Sequence, residues 1–328
     1  MEMKIAIIGG SVSGSLLGYL LRTKTNHEVE LFDVVSNYVK PCGDIVPNVF
    51  SPPYPWEVKF NIKRFAFYVD GERVYDVQYK HTKWLVIDKW KWINEMRKSL
   101  GFNHVNNFRK SEFELVIDSK GPYDMDRDVV YTTRAIIKTD KFTDEAIFEF
   151  NTKYTGFYWV FPVEEGLLNV GAGFIEHKNS KELLLGYMKE RIGHFEITDL
   201  RGAPISISPV KNKAGRIGEA RGLVFPLSGE GIRPSAISAI KAFEAISYDP
   251  AHFDIKLESD LRPLEKSVML QHKILSLYRA SGLPLRKGLL KFLFKNDILI
   301  DAYLEDKLTP EGIIESARFV KSGGLLRK

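Results

Sequence analysis

Cysteine is almost absent from this sequence. Cys42 is the single cysteine among 328 residues, so an intramolecular disulfide is excluded and a reducing cytoplasm is the expected location. The chain has no apolar run long enough for a membrane span, and its first residues enter a strand pattern without the layout of a signal peptide. A composition of 44% hydrophobic and 27% charged residues is that of a folded globular protein.

Strong charge, metal-ligand patterns and nucleophile motifs are also missing. The net charge is +5, and no segment combines a dense run of cations with base-stacking aromatic residues, so nucleic acid is not an expected partner. The 7 histidines are scattered without metal-ligand spacing, so no metal site is expected. Neither a nucleophile elbow nor a P-loop occurs. The chemistry of the chain must therefore be sought in its glycine-rich segments.

The first such segment predicts a strand, a tight turn, a helix and a second strand. It reads KIAIIGGSVSGSLLGYLLRTKTNHEVELFD over residues 4–33. Residues 4–8 are a continuous apolar run, which is typical of a buried parallel strand, and residues 29–32 form a second strand that ends at Asp33. Between them the helix carries an apolar face of leucines.

This arrangement has the features of a dinucleotide-binding turn. Glycines permit a tight bend and close helix–strand packing, the helix start offers free N–H groups to a pyrophosphate, and an acidic residue about twenty positions later can hold a ribose hydroxyl. The candidate residues are Gly9, Gly10, Ser11, Ser13, Gly14 and Asp33, with Ser11 where the motif normally has its second glycine. The alternative is a parallel α/β turn that binds nothing.

A second glycine-rich loop lies far along the chain, in GRIGEARGLVFPLSGEGIRPSAISAIKAF over residues 215–243. The pattern predicts a short strand, a loop and a helix; the strand ends at Gly218-Glu219, the loop contains Pro226, Gly229 and Gly231, and the helix begins near Ile232. A glycine-rich loop that leads into a helix start is physically another site for an anion or a carbonyl group.

Four stretches together resemble the geranylgeranyl reductase family of FAD-dependent oxidoreductases, within the aromatic-hydroxylase-type flavoprotein superfamily. They are the N-terminal turn, KPCGD (40–44), GFYWVFPVEEGLLNVGAGF (156–174) and IGEARGLVFPLSGEGI (217–232). In that family a strand-rich stretch follows the helix near residues 89–100, whereas here only GFNHVNNFRK precedes the returning strand, FELVIDSKGPY over residues 113–123. The chain therefore looks like a compact member.

The resemblance implies an FAD cofactor and assigns residues to it. The cofactor-binding residues would be Gly9, Gly10, Ser11, Ser13, Gly14, Asp33, Gly43, Lys89, Gly218, Glu219, Gly229, Gly231 and Ile232. Glu219 stands where the family has aspartate, and Lys89 where it has arginine, which keeps the charge but loses the bidentate fork. The substrate cavity would be walled by Phe157, Trp159, Phe161 and Pro162.

The implied reaction reduces carbon–carbon double bonds of an isoprenoid or other apolar lipid. Reduced flavin gives hydride to one carbon, and a proton goes to the other. A thiol stays largely protonated at neutral pH and enters an apolar pocket without the desolvation cost of a charge, so Cys42 is the candidate proton donor. NAD(P)H or a ferredoxin-like protein would supply electrons. The alternatives are a flavin monooxygenase, a non-catalytic flavin or lipid carrier, and a Cys42 that only packs.

The remaining pattern predicts an α/β protein with a Rossmann-like FAD-binding domain, a discontinuous antiparallel-sheet substrate domain and a helical C-terminal region. The expected boundaries are 1–60, 81–127 and 211–250 for the first, 61–80 and 128–210 for the second, and 251–328 for the third. Hairpins are expected in 62–80 around Asp70-Gly71 and in 156–174 around residues 164–166, with further strands in 128–139, 145–152 and 203–210 and a helix over 180–193.

One helical segment also bears on partners. LRKGLLKFLFK, over residues 285–295, is both basic and apolar, which suits peripheral contact with a membrane. A solvated face over a packed core explains the same pattern equally well.

Overall fold

The computed structural model describes residues 2–326, so the outer ends of the first and last expected domains, residue 1 and residues 327–328, lie outside it. Over residues 2–326 the chain forms fourteen strands and eight α-helices. The strands are β1 (Lys4–Ile8), β2 (Glu28–Asp33), β3 (Ile45–Pro47), β4 (Val58–Ile62), β5 (Arg64–Val69), β6 (Glu72–Gln78), β7 (Trp84–Ile87), β8 (Asn103–His104), β9 (Leu115–Asp118), β10 (Val129–Lys138), β11 (Glu145–Phe150), β12 (Gly156–Glu164), β13 (Leu167–Phe174) and β14 (Glu196–Ser206). The helices are α1 (Val12–Lys24), α2 (Lys89–Leu100), α3 (Ser180–Arg191), α4 (Ile232–Tyr248), α5 (Phe253–Ala280), α6 (Leu283–Phe294), α7 (Asp297–Leu304) and α8 (Pro310–Lys321).

A four-stranded parallel sheet in the order β8-β2-β1-β9 contains the N-terminal segment. Its central strand β1 is apolar along its length because both faces are covered, and Ile5, Ala6 and Ile7 are fully buried. The leucine face of α1 packs in the same core as residues of α2 and α4. The predicted strand, turn, helix and strand are confirmed, and so is the returning strand β9.

A seven-stranded sheet in the order β14-β10-β13-β12-β11-β5-β6 stands beside it. The two predicted hairpins are confirmed, with Asp70 and Gly71 at positive φ in the first turn. One pair, β5 with β11, is parallel. On one face of the sheet α3 packs over β13 and β10, and the ring of its Tyr187 stacks on Tyr158 of β12 with centroids 4.2 Å apart.

The opposite face of this sheet carries an aromatic core that receives the C-terminal helices. Phe67 stacks on Phe148 and on Phe294 of α6, with ring centroids 5.6 and 4.6 Å apart. At the neighbouring edge the buried Lys83 pairs with Asp301 of α7 at 2.5 Å. The C-terminal region is therefore helical, as expected, and it is fixed to the sheet by both ring packing and an ion pair.

The last described residues return to the edge strand β6. Leu326 N donates to Gln78 O at 2.8 Å, and Lys80 N donates to Gly324 O at 3.2 Å. The segment from α5 to α8 thus packs on α4 at its start and ends beside β6. None of the described helices is long and apolar enough to cross a lipid bilayer.

Three local features differ from the sequence-based expectations. The expected strand that ends at Gly218-Glu219 is wrong, because Gly218 at φ 59° turns the chain into a 3-10 turn, Gly218–Arg221, and only Arg216 forms an isolated bridge. The strand expected over 203–210 instead spans Glu196–Ser206, because its first half pairs with the end of β10. A small antiparallel sheet, β3-β7-β4, joins the two larger ones and was not predicted.

Candidate functional site

The N-terminal glycine turn brings α1 unusually close to the strands. Gly9 has φ +99°, and a Cβ atom at Gly14 would lie 2.0 Å from the carbonyl oxygen of Gly9. The side chain of Ser11 precedes α1 but makes no capping hydrogen bond to the N–H groups of its first turn. Because helix N-terminal N–H groups attract anions, this turn has the construction of a phosphate cradle.

Asp33 closes the same turn from the end of β2. Its Oδ2 accepts a hydrogen bond from Gly10 N at 2.7 Å, and its Oδ1 accepts one from Val34 N at 2.6 Å. Arg97 of α2, which no sequence motif signals, donates from Nη1 to Asp33 Oδ2 at 2.7 Å and to Gly10 O at 2.9 Å. The carboxylate is therefore held beside the glycines, and 15% of the side chain remains exposed.

The second glycine turn meets the first one directly. A Cβ atom at Gly218 would lie 2.3 Å from Ser13 Oγ. That hydroxyl is buried, and no group among residues 2–326 hydrogen-bonds it. Two predicted cofactor-binding positions some two hundred residues apart in sequence are thus in contact, with an unused polar atom between the two turns. These residues fit the pyrophosphate region of a dinucleotide.

Glu219 connects the second turn to residues 40–44, which carry Cys42 and are called the Cys42 segment below. Its Oε2 pairs with Lys40 Nζ at 2.7 Å, and its Oε1 accepts a hydrogen bond from Ser206 N at 2.9 Å. Burial disfavours the charge on Lys40, but the carboxylate of Glu219 outweighs it and raises the pKa of the lysine. The acidic residue of the expected cofactor loop is therefore used to fix the Cys42 segment.

Lys89 lies under that segment rather than beside the glycine turns. Its side chain is 3% exposed, and Nζ lies 3.3 Å from Asp44 Oδ1. Burial opposes its charge, yet nearby Cys42, Tyr38 and Asp44 outweigh burial and raise the pKa of Lys89. Burial likewise raises the pKa of Asp44, although the charges of Lys89 and Arg134 oppose this. The result is a buried cation near the only thiol.

A cavity of about 590 Å³ extends from the Cys42 segment toward the C-terminal helices. Its walls include Cys42 and Gly43, the β12 side chains Phe157, Trp159 and Phe161, the loop from 226 to 232, and residues of α5 and α6. Pro162 does not line it, because side chains alternate along a strand and the three aromatic residues occupy the cavity face. The wall is mostly apolar and has the size of a small-molecule site.

The Cys42 segment is pinned to the β12–β13 hairpin by hydrogen bonds. Asn169 Nδ2 donates to the carbonyl oxygen of Cys42 at 2.9 Å, while Asn169 Oδ1 accepts from Trp159 Nε1 at 3.0 Å. Gly43 packs on the ring of Phe161, where an added Cβ would stand 3.0 Å from Cε2. The expected proton donor and the expected substrate wall therefore form one rigid unit.

Two carboxyl groups with buried side chains lie at the second glycine-rich loop, one within it and one packed against it, and no sequence motif signals either. Glu230, which lines the cavity, and Asp306 share one cation: Arg233 Nε lies 3.3 Å from Glu230 Oε2, and Nη2 lies 3.4 Å from Asp306 Oδ2. Asp306 Oδ1 also accepts from Ser228 Oγ at 2.7 Å. Burial raises the pKa of Asp306 to about 7, and burial raises that of Glu230 too, while Arg233 offsets part of each effect.

The structure thus divides the expected site residues into two neighbouring groups. The residues at the two meeting turns are Gly9, Gly10, Ser11, Ser13, Gly14, Asp33 and Gly218, and those on the cavity wall are Cys42, Gly43, Phe157, Trp159, Phe161, Gly229, Gly231 and Ile232. Glu219 and Lys89 support the Cys42 segment between these groups. Arg97, Asn169 and the carboxyl pair carry no motif that would have identified them in advance.

Comparisons with known proteins yield structural matches only. No model of a known protein family matches the sequence, and no curated protein sequence does. A geranylgeranyl bacteriochlorophyll reductase-like protein from Thermoplasma acidophilum superposes with a TM-score of 0.72 at 15% identity, covering 96% of this chain and 95% of that one. A flavin-dependent halogenase superposes at 0.64 with 14% identity, covering 98% and 78%. A 2-methyl-3-hydroxypyridine-5-carboxylic acid oxygenase superposes at 0.61 with 11% identity, covering 97% of each chain.

Identities this low establish an architecture rather than an activity. The correspondence nevertheless extends over nearly the whole chain. The protein therefore has the fold of this reductase-like protein, the flavin-dependent halogenase and the oxygenase.

Proposed function

We propose that the protein is an FAD-dependent oxidoreductase that reduces carbon–carbon double bonds of an isoprenoid or similar lipid chain. The observation that carries the proposal is the cavity of about 590 Å³, which joins the Cys42 segment and the second glycine-rich loop to an apolar interior. A long hydrocarbon chain needs such a lining, whereas a small polar substrate would need convergent polar groups along it.

The chain supplies a fitting cradle for FAD. The turn at Gly9–Gly14 would take the pyrophosphate on the N–H groups of α1, and Asp33 would take a ribose hydroxyl. Gly229, Gly231 and Ile232 border the cavity, which suits the ring-bearing half of the cofactor. Reduced flavin, when bound, supplies hydride. NAD(P)H or a ferredoxin-like protein would reduce it.

The protein's own task is to orient the alkene, exclude water and deliver a proton. An isolated alkene is not polarised, so positioning by Phe157, Trp159 and Phe161 contributes much of the rate. Cys42 would give its thiol proton to the second carbon, so that one carbon gains hydride and the other gains the proton. Lys89 beneath it stays protonated and balances the negative charge that the departing proton leaves.

The test is a single turnover without oxygen. Purified protein is loaded with FAD, reduced with dithionite and mixed with geranylgeranyl diphosphate as a chain-like alkene. The expected results are an oxidised flavin spectrum and a lipid product heavier by two hydrogens for each turnover. Protein that binds FAD but oxidises it only with oxygen and a small aromatic substrate would favour a monooxygenase. Protein that does not bind FAD would overturn the proposal.

A further inference from the structure

The cavity has an apolar opening between two C-terminal helices. Four of its lining residues are exposed: Gly229 in the glycine-rich loop, and Leu277, Leu289 and Phe292 on α5 and α6. The leucine and phenylalanine side chains are 71%, 42% and 65% exposed. At α5 and α6 the cavity therefore reaches the protein surface among large hydrocarbon side chains.

Further apolar side chains surround this opening. Leu283 and Leu285, at the start of α6, are 53% and 57% exposed. Helical spacing places Leu285, Leu289 and Phe292 on one face, since residues three or four apart are neighbours. We call Leu277, Leu283, Leu285, Leu289 and Phe292 the cavity-mouth surface. Exposed apolar patches of this kind usually mark an interaction site.

Cations flank the cavity-mouth surface. Residues 277–295 contain five, Arg279, Arg286, Lys287, Lys291 and Lys295, and no acidic residue. Three carboxylates from other segments approach them: Glu176 at 3.7 Å, Asp70 at 3.8 Å and Glu72 at 2.8 Å. These ion pairs are solvent-exposed, so replacing their carboxylates by other anions costs little free energy. The surface combines hydrocarbon with a net positive charge.

We propose that the cavity-mouth surface docks on an anionic lipid bilayer, so that a lipid chain passes from the bilayer into the cavity without crossing water. Basic residues attract anionic headgroups, and the apolar side chains enter the boundary with the acyl chains. A second copy of this chain is a poorer occupant, because a two-fold interface would place the five cations against the same five. The lipid substrate rests on the proposed function, but the docking itself does not.

Vesicle flotation tests the docking with the full protein and two matched variants. Leu283→Ser with Leu285→Ser removes two side chains of the cavity-mouth surface that do not line the cavity. Ile255→Ser is the control, since Ile255 is 70% exposed on α5 but about 30 Å along the helix from Leu277. The probes are phosphatidylcholine vesicles with and without phosphatidylglycerol.

Wild type and Ile255→Ser should float with phosphatidylglycerol vesicles, and the double variant should bind at least about tenfold more weakly. Binding to pure phosphatidylcholine should be weaker for all three. Equal binding by the double variant and wild type, or no binding by wild type, would overturn the proposal. The proposal would also be overturned if light scattering showed that wild type is a dimer and the double variant a monomer. Alkene reduction without vesicle binding would leave the proposed function intact and reject the docking.

Discussion

Replacing Asp306 by asparagine should change how the stability of this protein depends on pH. Asp306 and Glu230 are buried and share Arg233, so only one of the two carboxylates is balanced by a full charge. Burial is the largest influence and raises the pKa of Asp306 to about 7 from an ordinary 3.8. Asparagine keeps the shape and tolerates the positive φ of 55° at this position.

The sign follows from the proton balance. Between 3.8 and about 7 the unfolded chain has lost the Asp306 proton while the folded chain keeps it. The free energy of unfolding therefore falls as pH rises through this interval; the contribution is complete below about pH 4 and lost above about pH 7. One pKa unit corresponds to about 1.36 kcal/mol, so the rise in the pKa of Asp306 from 3.8 to about 7 changes the free energy of unfolding by about 4 kcal/mol at most. Asparagine cannot ionise, so this fall in the free energy of unfolding is absent from the variant.

Urea unfolding of wild type and Asp306→Asn between about pH 5 and about pH 8 measures the effect. Near about pH 5 the variant is expected to be less stable than wild type, because it lacks the hydrogen bonds of the neutral acid. Toward about pH 8 its free energy of unfolding should rise relative to that of wild type by up to about 4 kcal/mol. Asp140→Asn, an exposed position between β10 and β11, is the matched control and should follow wild type. If the free energies of unfolding of wild type and Asp306→Asn changed with pH in the same way, the reasoning would be refuted.

Four further substitutions test the site and the packing around it. Asp33→Ala should weaken FAD binding by roughly 1.5–3 kcal/mol, measured by flavin fluorescence titration, because a charged hydrogen-bond acceptor is lost. Cys42→Ser should slow anaerobic alkene reduction by about a hundred- to ten-thousandfold, as expected for a lost general acid, with little change in FAD affinity. Gly171→Ala should lower the free energy of unfolding by about 1–3 kcal/mol, since its Cβ would lie 1.9 Å from Trp159 Cζ2. Gly186→Ala, whose Cβ meets nothing within 4 Å on α3, should instead raise it by about 0.5–1 kcal/mol.

Each of the first three has a clear contrary result. An unchanged FAD dissociation constant in Asp33→Ala would move the ribose contact elsewhere. Equal single-turnover rates for wild type, Cys42→Ser and Cys42→Ala would make Cys42 a packing residue. If Gly171→Ala were as stable as wild type in urea unfolding, the indole of Trp159 would not be confined against β13.

The elements that sequence patterns predicted are those whose signal is local. The turn at Asp70-Gly71 and the buried run of Lys4–Ile8 each depend on neighbours within a few residues, and both are present in the structure. The same holds for the glycine positions of the N-terminal turn. A short-range pattern is sufficient there because backbone conformation and strand burial determine the choice of residue.

The missed features depend on contacts between distant segments. Arginine is usually exposed, yet Arg97 is buried because it pairs with Asp33, 64 positions away in the sequence. Asp306 meets Arg233 from 73 positions away. No periodicity signals that a charge will be buried against a partner on another element, since such burial is favourable only once both segments have packed. The position of Gly218 was missed for a related reason: Ser13, from the distant N-terminal turn, leaves no room for a Cβ atom there.

The return of residues 324–326 to the edge of β6 restricts how the cavity can open. Because the helical segment is held by backbone hydrogen bonds at Gln78 and Lys80, and by Lys83 at α7, it cannot swing outward as a hinged lid. Before these fixed points in the chain, α6 buries only Leu290 and Phe294. Widening of the existing opening between α5 and α6 would then be a local unfolding of α6 while its neighbours stay protected from hydrogen exchange. The rate at which a bulky chain enters would be set by the fraying of twelve residues, not by a domain motion.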